Sequence, residues 1–307
     1  MVNIQQVSYA GWDCIRLDNG IVELIIPMEI GPRIIRFAFI GRDNQFCEVA
    51  EEAGQKGGDS FHLYGGHRFW IAPEHINRTY FPDNRPIDIE EKTDLIRLLP
   101  LSEENTGIQK AIDIYLSPDK AEVKIVHRLT NLNIWDIECA LWGLSVMAAG
   151  GKAILPLPKR RPHSEDLLPG NTLSLWAYTD MTDPRWTWGR EYILLAQDKT
   201  ATTPQKIGAH LRAGWLGHVG QNGDLFIKRL PYIEGATYPD LNCNAELYTN
   251  DFMLEVESLG PLQIIPAGAS VEHIEYWNLF EAIDQPHTDA DVKRDVLPHV
   301  QSLQGDD

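Results

Sequence analysis

Short apolar or alternating segments, each bounded by turn residues, recur along nearly the whole chain. Examples are GIVELIIP at 20–27, KAIDIYLSPDKAEVKIVHRLTN at 110–131 and SVEHIEYWNLF at 270–280. A period of two between Pro, Gly and Asp boundaries is typical of β-strands. Helical periodicity is scarce and is confined to the residues after Phe280, where Pro298 is expected to interrupt it. Strands without helices between them predict an all-β antiparallel sandwich rather than a βαβ fold.

The sequence offers no natural place for a domain boundary. Its 307 residues fit one large all-β domain or two ordinary ones. It contains no internal repeat, low-complexity tract or Ser/Gly linker. We therefore expect a single domain over residues 1–307, with an acidic, partly helical tail at 281–307.

Charge and hydropathy argue against several classes of partner. Asp and Glu number 44 against 27 Lys and Arg, and the resulting net charge of −17 would repel phosphate backbones and anionic lipids. Mean hydropathy is −0.26, and no apolar run approaches the roughly 18 residues of a membrane span. The N-terminus lacks the basic and apolar regions of a signal peptide. These features predict a cytoplasmic protein that binds neither nucleic acid nor membranes.

The cysteines and short motifs give no sign of a metal or a cofactor. Cys14, Cys47, Cys139 and Cys243 lie far apart in or beside strand-like segments, whereas cysteine metal sites need paired spacing. We expect four reduced, unbridged thiols. The sequence also lacks H-E-x-x-H, an EF-hand loop, Walker A, G-x-G-x-x-G and G-x-S-x-G. We therefore expect no bound metal and no cofactor.

The segment FHLYGGHRFWIAPEH at 61–75 lies in one of two loop-rich stretches, 51–90 and 156–190. Its glycine pair suits a tight turn or a close approach of the backbone to a ligand. A tryptophan beside hydrogen-bonding groups offers the apolar surface and the polar partners that a sugar face requires. The alternative is a surface loop in which the arginine pairs with an acidic neighbour. We favour a binding role for His67, Arg68, Trp70, Glu74 and His75.

Two carboxylates share one face of another predicted strand. In FMLEVES at 252–258, alternation places Met253, Glu255 and Glu257 on one face. Repulsion between two like charges tends to raise one pKa, which suits a general acid or base near neutral pH. The alternative is a strand with a solvated polar face.

Two further segments supply candidate polar residues. His273, Glu275 and Trp277 alternate onto one side of a strand, although a strand histidine is more often structural than catalytic. In the polar run that begins at Lys228, the side chains of Lys228 and Asp240 could grip hydroxyls. Asp240 could instead only stabilise a turn.

Four segments, in this order, resemble the galactose mutarotase (aldose 1-epimerase) superfamily, and more closely its branch of mutarotase-like proteins of unknown function. They are NGIVELIIPMEIGPRIIRFAFIGRDN (19–44), YGGHRFW (64–70), HRLTN (127–131) and FMLEVES (252–258). They resemble the family's opening hairpin, its His-Gly-Gly segment near the sugar, its LTN strand and the strand with its catalytic Glu. The resemblance implies an antiparallel β-supersandwich.

The resemblance also implies roles for individual residues. Glu255 matches the family's general base, and Glu257 stands where the family often has Gln. His67 is the nearest match to the first active-site histidine, although it follows the glycine pair, and Asp240 corresponds loosely to the acid that grips the sugar. Where the family has its second histidine, the general acid, this sequence has Trp142 and no histidine.

These observations favour an enzyme that epimerises or mutarotates a sugar or sugar derivative by general acid/base catalysis. Glu255 would be the base, and the acid would be His67, His75 or His273 from a different strand. We expect the two glutamates to share a pocket with segment 61–75, where Trp70 or Trp142 stacks on the sugar.

Two alternatives stay open at this point. The missing second histidine favours a carbohydrate-binding protein without turnover. A polysaccharide-lyase-like enzyme would instead need a group that neutralises a uronate beside a base, and Arg68 with His67 could serve.

Overall fold

Nearly all regular structure in this protein consists of antiparallel strands. A computed structural model describes residues 2–303, and the strands are β1 (Asn3–Tyr9), β2 (Trp12–Asp18), β3 (Val22–Pro27), β4 (Arg33–Ile34), β5 (Arg36–Phe39), β6 (His67–Ala72), β7 (Asp88–Glu91), β8 (Ile96–Leu99), β9 (Ile108–Leu116), β10 (Glu122–Asn131), β11 (Ile137–Met147), β12 (Lys152–Pro156), β13 (Leu173–Leu175), β14 (Trp186–Trp188), β15 (Tyr192–Ala196), β16 (Gln205–Ala209), β17 (Trp215–Val219), β18 (Leu225–Arg229), β19 (Ala245–Thr249), β20 (Leu254–Leu259), β21 (Gln263–Ile265) and β22 (Ser270–Phe280). Their pairings are antiparallel. The all-β prediction is confirmed.

The strands form three sheets. A small N-terminal sheet has the order β1-β2-β3-β5. The largest sheet has ten strands in the order β14-β15-β12-β17-β18-β22-β10-β9-β8-β7. The third has the order β13-β16-β19-β20-β11-β6-β4, and β21 pairs with β11 beside it. We call this third sheet the site sheet, because it presents the residues discussed below.

The main hydrophobic core lies between the ten-stranded sheet and the site sheet. Phe69 and Val256 of the site sheet join Phe226 and Trp277 of the ten-stranded sheet in one cluster of buried side chains. Alternation explains the arrangement, since each strand sends every second side chain into this layer. The intervening side chains of the site sheet face the other way and are free to build a binding surface.

A C-terminal helix covers part of the opposite face of the ten-stranded sheet. It runs through Asp289–Asp291, a π-helical turn at Val292–Val296 and Leu297–Ser302. Its buried valines pack in a cluster with Trp215 of β17. The helical tail is confirmed as far as the structure describes it, and residues 304–307 lie outside the described residues. Pro298 does not end the helix, because it lies in the first turn of the last segment, where its missing N–H is tolerated.

Other expectations concern turns, loops and thiols. Ser117 N donates to Glu122 O at 2.9 Å in the predicted hairpin between β9 and β10. The stretch 51–90 is less of a loop than expected, because it contains β6, whose residues are all buried. The four cysteines are buried and free, as predicted. No helix among residues 2–303 has the length and apolar character needed to span a bilayer.

The glycine pair before β6 allows two backbones to approach each other closely. Gly65 and Gly66 have φ of +93° and +73°, which is left-handed backbone. A Cβ on Gly66 would lie 2.4 Å from Ile34 O, and one on Gly65 would lie 2.0 Å from Cys47 O. The pair therefore serves the packing of the entry to β6.

We predict that Gly66→Ala is more destabilising than Gly41→Ala. Gly41 has a similar φ of +77°, but a Cβ at this position would meet no atom within 4 Å, so its replacement costs only the left-handed strain of about 1–2 kcal/mol. Gly66→Ala adds a backbone clash, for which overpacking suggests about 1–3 kcal/mol more. Urea denaturation of both variants measures the difference, and equal losses would contradict it.

Candidate functional site

A cavity of about 410 Å³ opens on the face of the site sheet that points away from the core. Its walls are largely aromatic, with charged groups between them. The aromatic residues are Phe61, Trp70, Tyr80, Trp142, Tyr178 and Tyr248, and the charged residues are Arg68, Glu74, Lys206 and Glu255. Aromatic surface with a few convergent polar groups is the usual composition of a small-molecule site.

The antiparallel register explains why these side chains meet. Glu255 on β20 is paired with Val146 on β11 and with Tyr248 on β19, and Tyr248 is paired with Lys206 on β16. These four residues form one row across the sheet, with their side chains on the same face. The next row carries Arg68 and Glu257, so alternation keeps both glutamates of β20 on the cavity side, as predicted.

Glu255 forms a buried ion pair with Arg68. Arg68 Nη2 donates to Glu255 Oε1 at 2.8 Å, and the guanidinium lies 4.2 Å from the centre of the Trp70 ring. Burial raises the pKa of Glu255 to about 7, although Arg68 acts in the opposite direction. A carboxyl with that pKa exchanges protons readily at neutral pH.

Lys206 lies at the floor of the cavity and links two further carboxyl groups, those of Glu246 and Glu257, which do not themselves line the cavity. Its Nζ lies 2.7 Å from Glu246 Oε2 and 3.2 Å from Glu257 Oε2. Trp142 Nε1 also donates to Glu257 Oε2, at 2.9 Å. Burial acts to lower the pKa of Lys206, but the two glutamates outweigh it and raise that pKa well above the usual value. Burial raises the pKa of Glu246, although the ammonium group of Lys206 acts in the opposite direction.

His67 does not line this cavity, contrary to the sequence expectation. It precedes Arg68 on β6, so its side chain points to the opposite face of the site sheet, into the layer between the sheets. There it is fully buried, 2.7 Å from His127 Nε2 through its own Nε2 and 3.0 Å from Ser145 Oγ through Nδ1. The lyase hypothesis named Arg68 and His67 as residues that could serve together, and strand alternation separates this pair.

Lys228 and His273 lie in the same internal layer as His67, so they do not line the cavity either. Lys228 Nζ donates to Glu275 Oε1 at 3.0 Å and to the carbonyl oxygens of Gly143 and Val256 at 3.2 and 2.9 Å. His273 Nε2 lies 2.6 Å from Ser258 Oγ, whose hydroxyl donates to Glu275. We call Lys228, Glu275, Ser258, His273, His67, His127 and Ser145 the interlayer cluster.

His67, His127 and Glu275 have metal-ligand atoms within 4.8 Å of one another. Their hydrogen bonds fit neutral imidazoles better than a metal site. His127 Nδ1 donates to the carbonyl of His273 at 3.2 Å, so its Nε2 accepts from His67 Nε2–H. Glu275 already accepts from Lys228 and, at 2.7 Å, from Trp277 Nε1. Burial lowers the pKa of both His67 and His127, in agreement with neutral rings.

The remaining predicted residues divide between the cavity and its surroundings. Glu74 lines the cavity and accepts a hydrogen bond from the hydroxyl of Tyr80. His75 is exposed outside it, where its Nδ1 accepts from Asn77 N at 3.2 Å. Asp240 does not line the cavity, but its carboxyl interacts electrostatically with Lys206 and Glu246.

Asp240 belongs to a strained turn. It and the two residues after it, Leu241 and Asn242, have φ of 50°, 63° and 76°. Left-handed backbone costs a non-glycine residue roughly 1–2 kcal/mol. Ser174 Oγ donates to Asp240 O at 2.8 Å and helps to hold this turn beside the cavity floor.

Sequence reasoning missed Lys206 and Tyr248 as site residues. The segment AELYT of β19 alternates as clearly as the double-glutamate strand, with Glu246 and Tyr248 on one face. This alternation indicates from the sequence alone that Tyr248 shares a face with Glu246. Lys206 lies in the five-residue strand QKIGA, where only its pairing with β19 reveals which face it occupies.

Comparisons with known proteins identify the fold. No protein-family model and no curated protein matches the sequence. A galactose mutarotase-like protein from Lactobacillus casei has a TM-score of 0.57 at 10% identity, over 87% of this chain and 100% of its own. A candidate mutarotase from Salmonella typhimurium gives 0.59 at 10% identity, over 91% and 94%. A candidate aldose 1-epimerase from Escherichia coli K12 gives 0.51 at 9% identity, over 92% and 100%. This chain therefore has the galactose mutarotase-like fold, as its motifs predicted.

We predict that Lys228→Met destabilises the protein strongly. The change leaves the buried carboxylate of Glu275 without its cationic partner, for which a loss of about 3–5 kcal/mol is expected. Lys92→Met is the control, because Lys92 pairs with Glu90 on the surface and should contribute under about 1 kcal/mol. Chemical denaturation measures both, and similar small losses would show that the interlayer pair is dispensable.

Proposed function

We propose that this protein is an epimerase or mutarotase that acts on a sugar or a sugar derivative. The observation that carries the proposal is Glu255, a buried carboxyl with a pKa raised to about 7 in an aromatic-walled cavity. In mutarotation a base takes the proton of the anomeric hydroxyl, the ring opens, and reclosure after rotation inverts the anomeric carbon. Glu255 has the placement and the pKa to be that base.

The walls of the cavity support a carbohydrate as the ligand. Trp70 and Trp142 lie with ring centres 5.5 Å apart and both face the cavity. Such indole surface packs against the C–H face of a pyranose, while Glu74 and Glu255 can accept hydrogen bonds from hydroxyl groups. The candidate mutarotase and candidate aldose 1-epimerase among the structural neighbours agree with this class of ligand.

The second candidate function is carbohydrate binding without turnover. One observation favours it: the described residues that line the cavity include no histidine. Glu255 would then serve only to orient Arg68 and to accept hydrogen bonds from the sugar.

We also propose a cytoplasmic location. Its support is chemical, since four free cysteines suit a reducing compartment.

We predict that Glu255→Gln reduces kcat by about 100-fold or more, the range for loss of a general base. The amide keeps the shape of the side chain and can still accept from Arg68, so sugar binding should persist. Polarimetry of freshly dissolved anomers and isothermal titration calorimetry measure the two properties. Glu272→Gln, a change on the exposed part of β22, is the control.

The outcomes separate the two candidate functions. If Glu255→Gln lost turnover and sugar binding equally, Glu255 would have a structural role and not a catalytic one. Saturable sugar binding by the wild-type protein, without acceleration of mutarotation, would favour the binding module.

We predict that kcat/KM falls about tenfold per pH unit below about pH 7. The base must be ionised to accept a proton, and Glu255 becomes protonated as the pH falls through its raised pKa of about 7. Rates at several pH values, corrected for spontaneous mutarotation, test this. A profile that is flat down to pH 5 would exclude Glu255 as the base.

A further inference from the structure

The proposed reaction needs a proton donor for the ring oxygen, and the inference below rests on that proposed function. None of the expected histidines lines the cavity, because His67 and His273 lie in the internal layer and His75 is exposed outside it. The described cavity-lining side chains that carry a transferable proton are Arg68, Tyr80, Tyr178, Lys206 and Tyr248.

Two of these side chains are already committed elsewhere. Arg68 donates to Glu255, and a guanidinium does not give up its proton at any pH that proteins tolerate. The hydroxyl of Tyr80 donates to Glu74. The remaining candidate proton donors are Lys206, Tyr178 and Tyr248.

Lys206 and Glu255 both line the cavity. Both belong to the row formed by Glu255, Tyr248 and Lys206, with one strand, β19, between their own strands. Neighbouring strands lie roughly 4.8 Å apart, so the backbones at Glu255 and Lys206 are about 10 Å apart, with both side chains on the cavity face. Tyr248 lies between them in the row, on the same face. A sugar ring that lies over Tyr248 would have the carboxylate of Glu255 on one side and the ammonium group of Lys206 on the other.

The surroundings of Lys206 keep it charged and in place. Glu246 and Glu257 each lie within ion-pair distance of Nζ, and the rings of Trp142 and Trp176 lie 4.9 and 4.8 Å from it. Two of its three N–H groups can serve the carboxylates, which leaves one for the cavity. Other titratable groups that act electrostatically with Lys206 come from β20, β19 and the flanking loops; they are Glu255, Tyr248, Asp240 and Tyr178.

We propose that Lys206 is the proton donor to the ring oxygen, in the role for which a histidine was expected. Glu255 takes the proton of the anomeric hydroxyl, the bond between the anomeric carbon and the ring oxygen breaks, and Lys206 Nζ gives a proton to that oxygen. The open-chain aldehyde rotates about its first C–C bond. Reclosure returns one proton to Lys206 and one from Glu255 to the new anomeric hydroxyl, so no other reactant is needed.

Two replacements of Lys206 separate proton donation from charge. Lys206→Arg keeps a cation for Glu246 and Glu257 but cannot release its proton, whereas Lys206→Met removes both. With α-D-glucose and α-D-galactose as probes in polarimetry, we expect both variants to lose kcat by about 100-fold or more, with a smaller change in KM. In Lys206→Ala, added methylammonium should restore part of the rate, which a purely structural role for Lys206 would not allow.

Glu246→Gln provides a test that leaves Lys206 itself intact. The wild-type rate should fall at high pH as Lys206 loses its proton. Removing the negative charge of one neighbouring carboxyl should move that fall to lower pH by about one unit or more. Thermal unfolding of every variant checks that the fold is retained.

Several results would overturn the assignment. A kcat equal to that of the wild-type protein in Lys206→Arg would show that Lys206 acts only as a structural cation. Loss of kcat in Tyr248→Phe but not in Lys206→Arg would give the role to Tyr248. An unmoved alkaline limb in Glu246→Gln would also exclude Lys206. If the wild-type protein accelerates neither sugar nor any other aldose in a panel of fresh anomers, the proposed function fails, and this assignment fails with it.

Discussion

The ion pair between Lys228 and Glu275 joins the two large sheets. Both side chains are fully buried, and Lys228 reaches from β18 to two backbone carbonyls of the site sheet, those of Gly143 and Val256. A buried pair of this kind contributes little net stability compared with apolar packing, but removal of one partner is costly. Its effect here is geometric, because those carbonyls belong to the strands that present Trp142 and Glu255 to the cavity. The contact also requires a glycine, since a Cβ on Gly143 would lie 2.3 Å from Glu275 Oε1.

The site sheet thus has two polar faces with different chemistry. On the inner face, neutral imidazoles and one ion pair satisfy each other within a closed layer. On the outer face, charged groups pair only in part: Glu257 Oε1, Glu246 Oε1 and two nitrogens of Arg68, Nε and Nη1, have no hydrogen-bond partner. An unsatisfied buried acceptor is costly in a finished core, whereas a ligand rich in hydroxyl groups can satisfy it. This contrast agrees with a binding role for the outer face.

The sequence predicted the parts of the fold and the site that depend on local periodicity. Alternation in FMLEVES correctly placed Glu255 and Glu257 on one face, and alternation in SVEHIEYWNLF grouped His273 with Glu275. The same rule applied to HRFW separates His67 from Arg68, but the glycine pair and the polar residues around this segment favour a loop. What the sequence could not supply was the long-range register. Lys206 and Glu255 are 49 residues apart and meet only because β16, β19 and β20 pair in that order. No local pattern specifies which distant strands become neighbours.

The strict division of residues between two faces also restricts how this protein can change during evolution. A one-residue insertion or deletion within β20 would exchange the faces of the residues beyond it, moving carboxylates into the apolar layer and valine or leucine into the cavity. New ligand preferences can therefore arise by substitution at alternate positions of the site sheet. Changes in length are tolerated where they do not disturb this alternation, as in the exposed stretch 159–170. Such a scaffold can diversify its ligands while it conserves strand length.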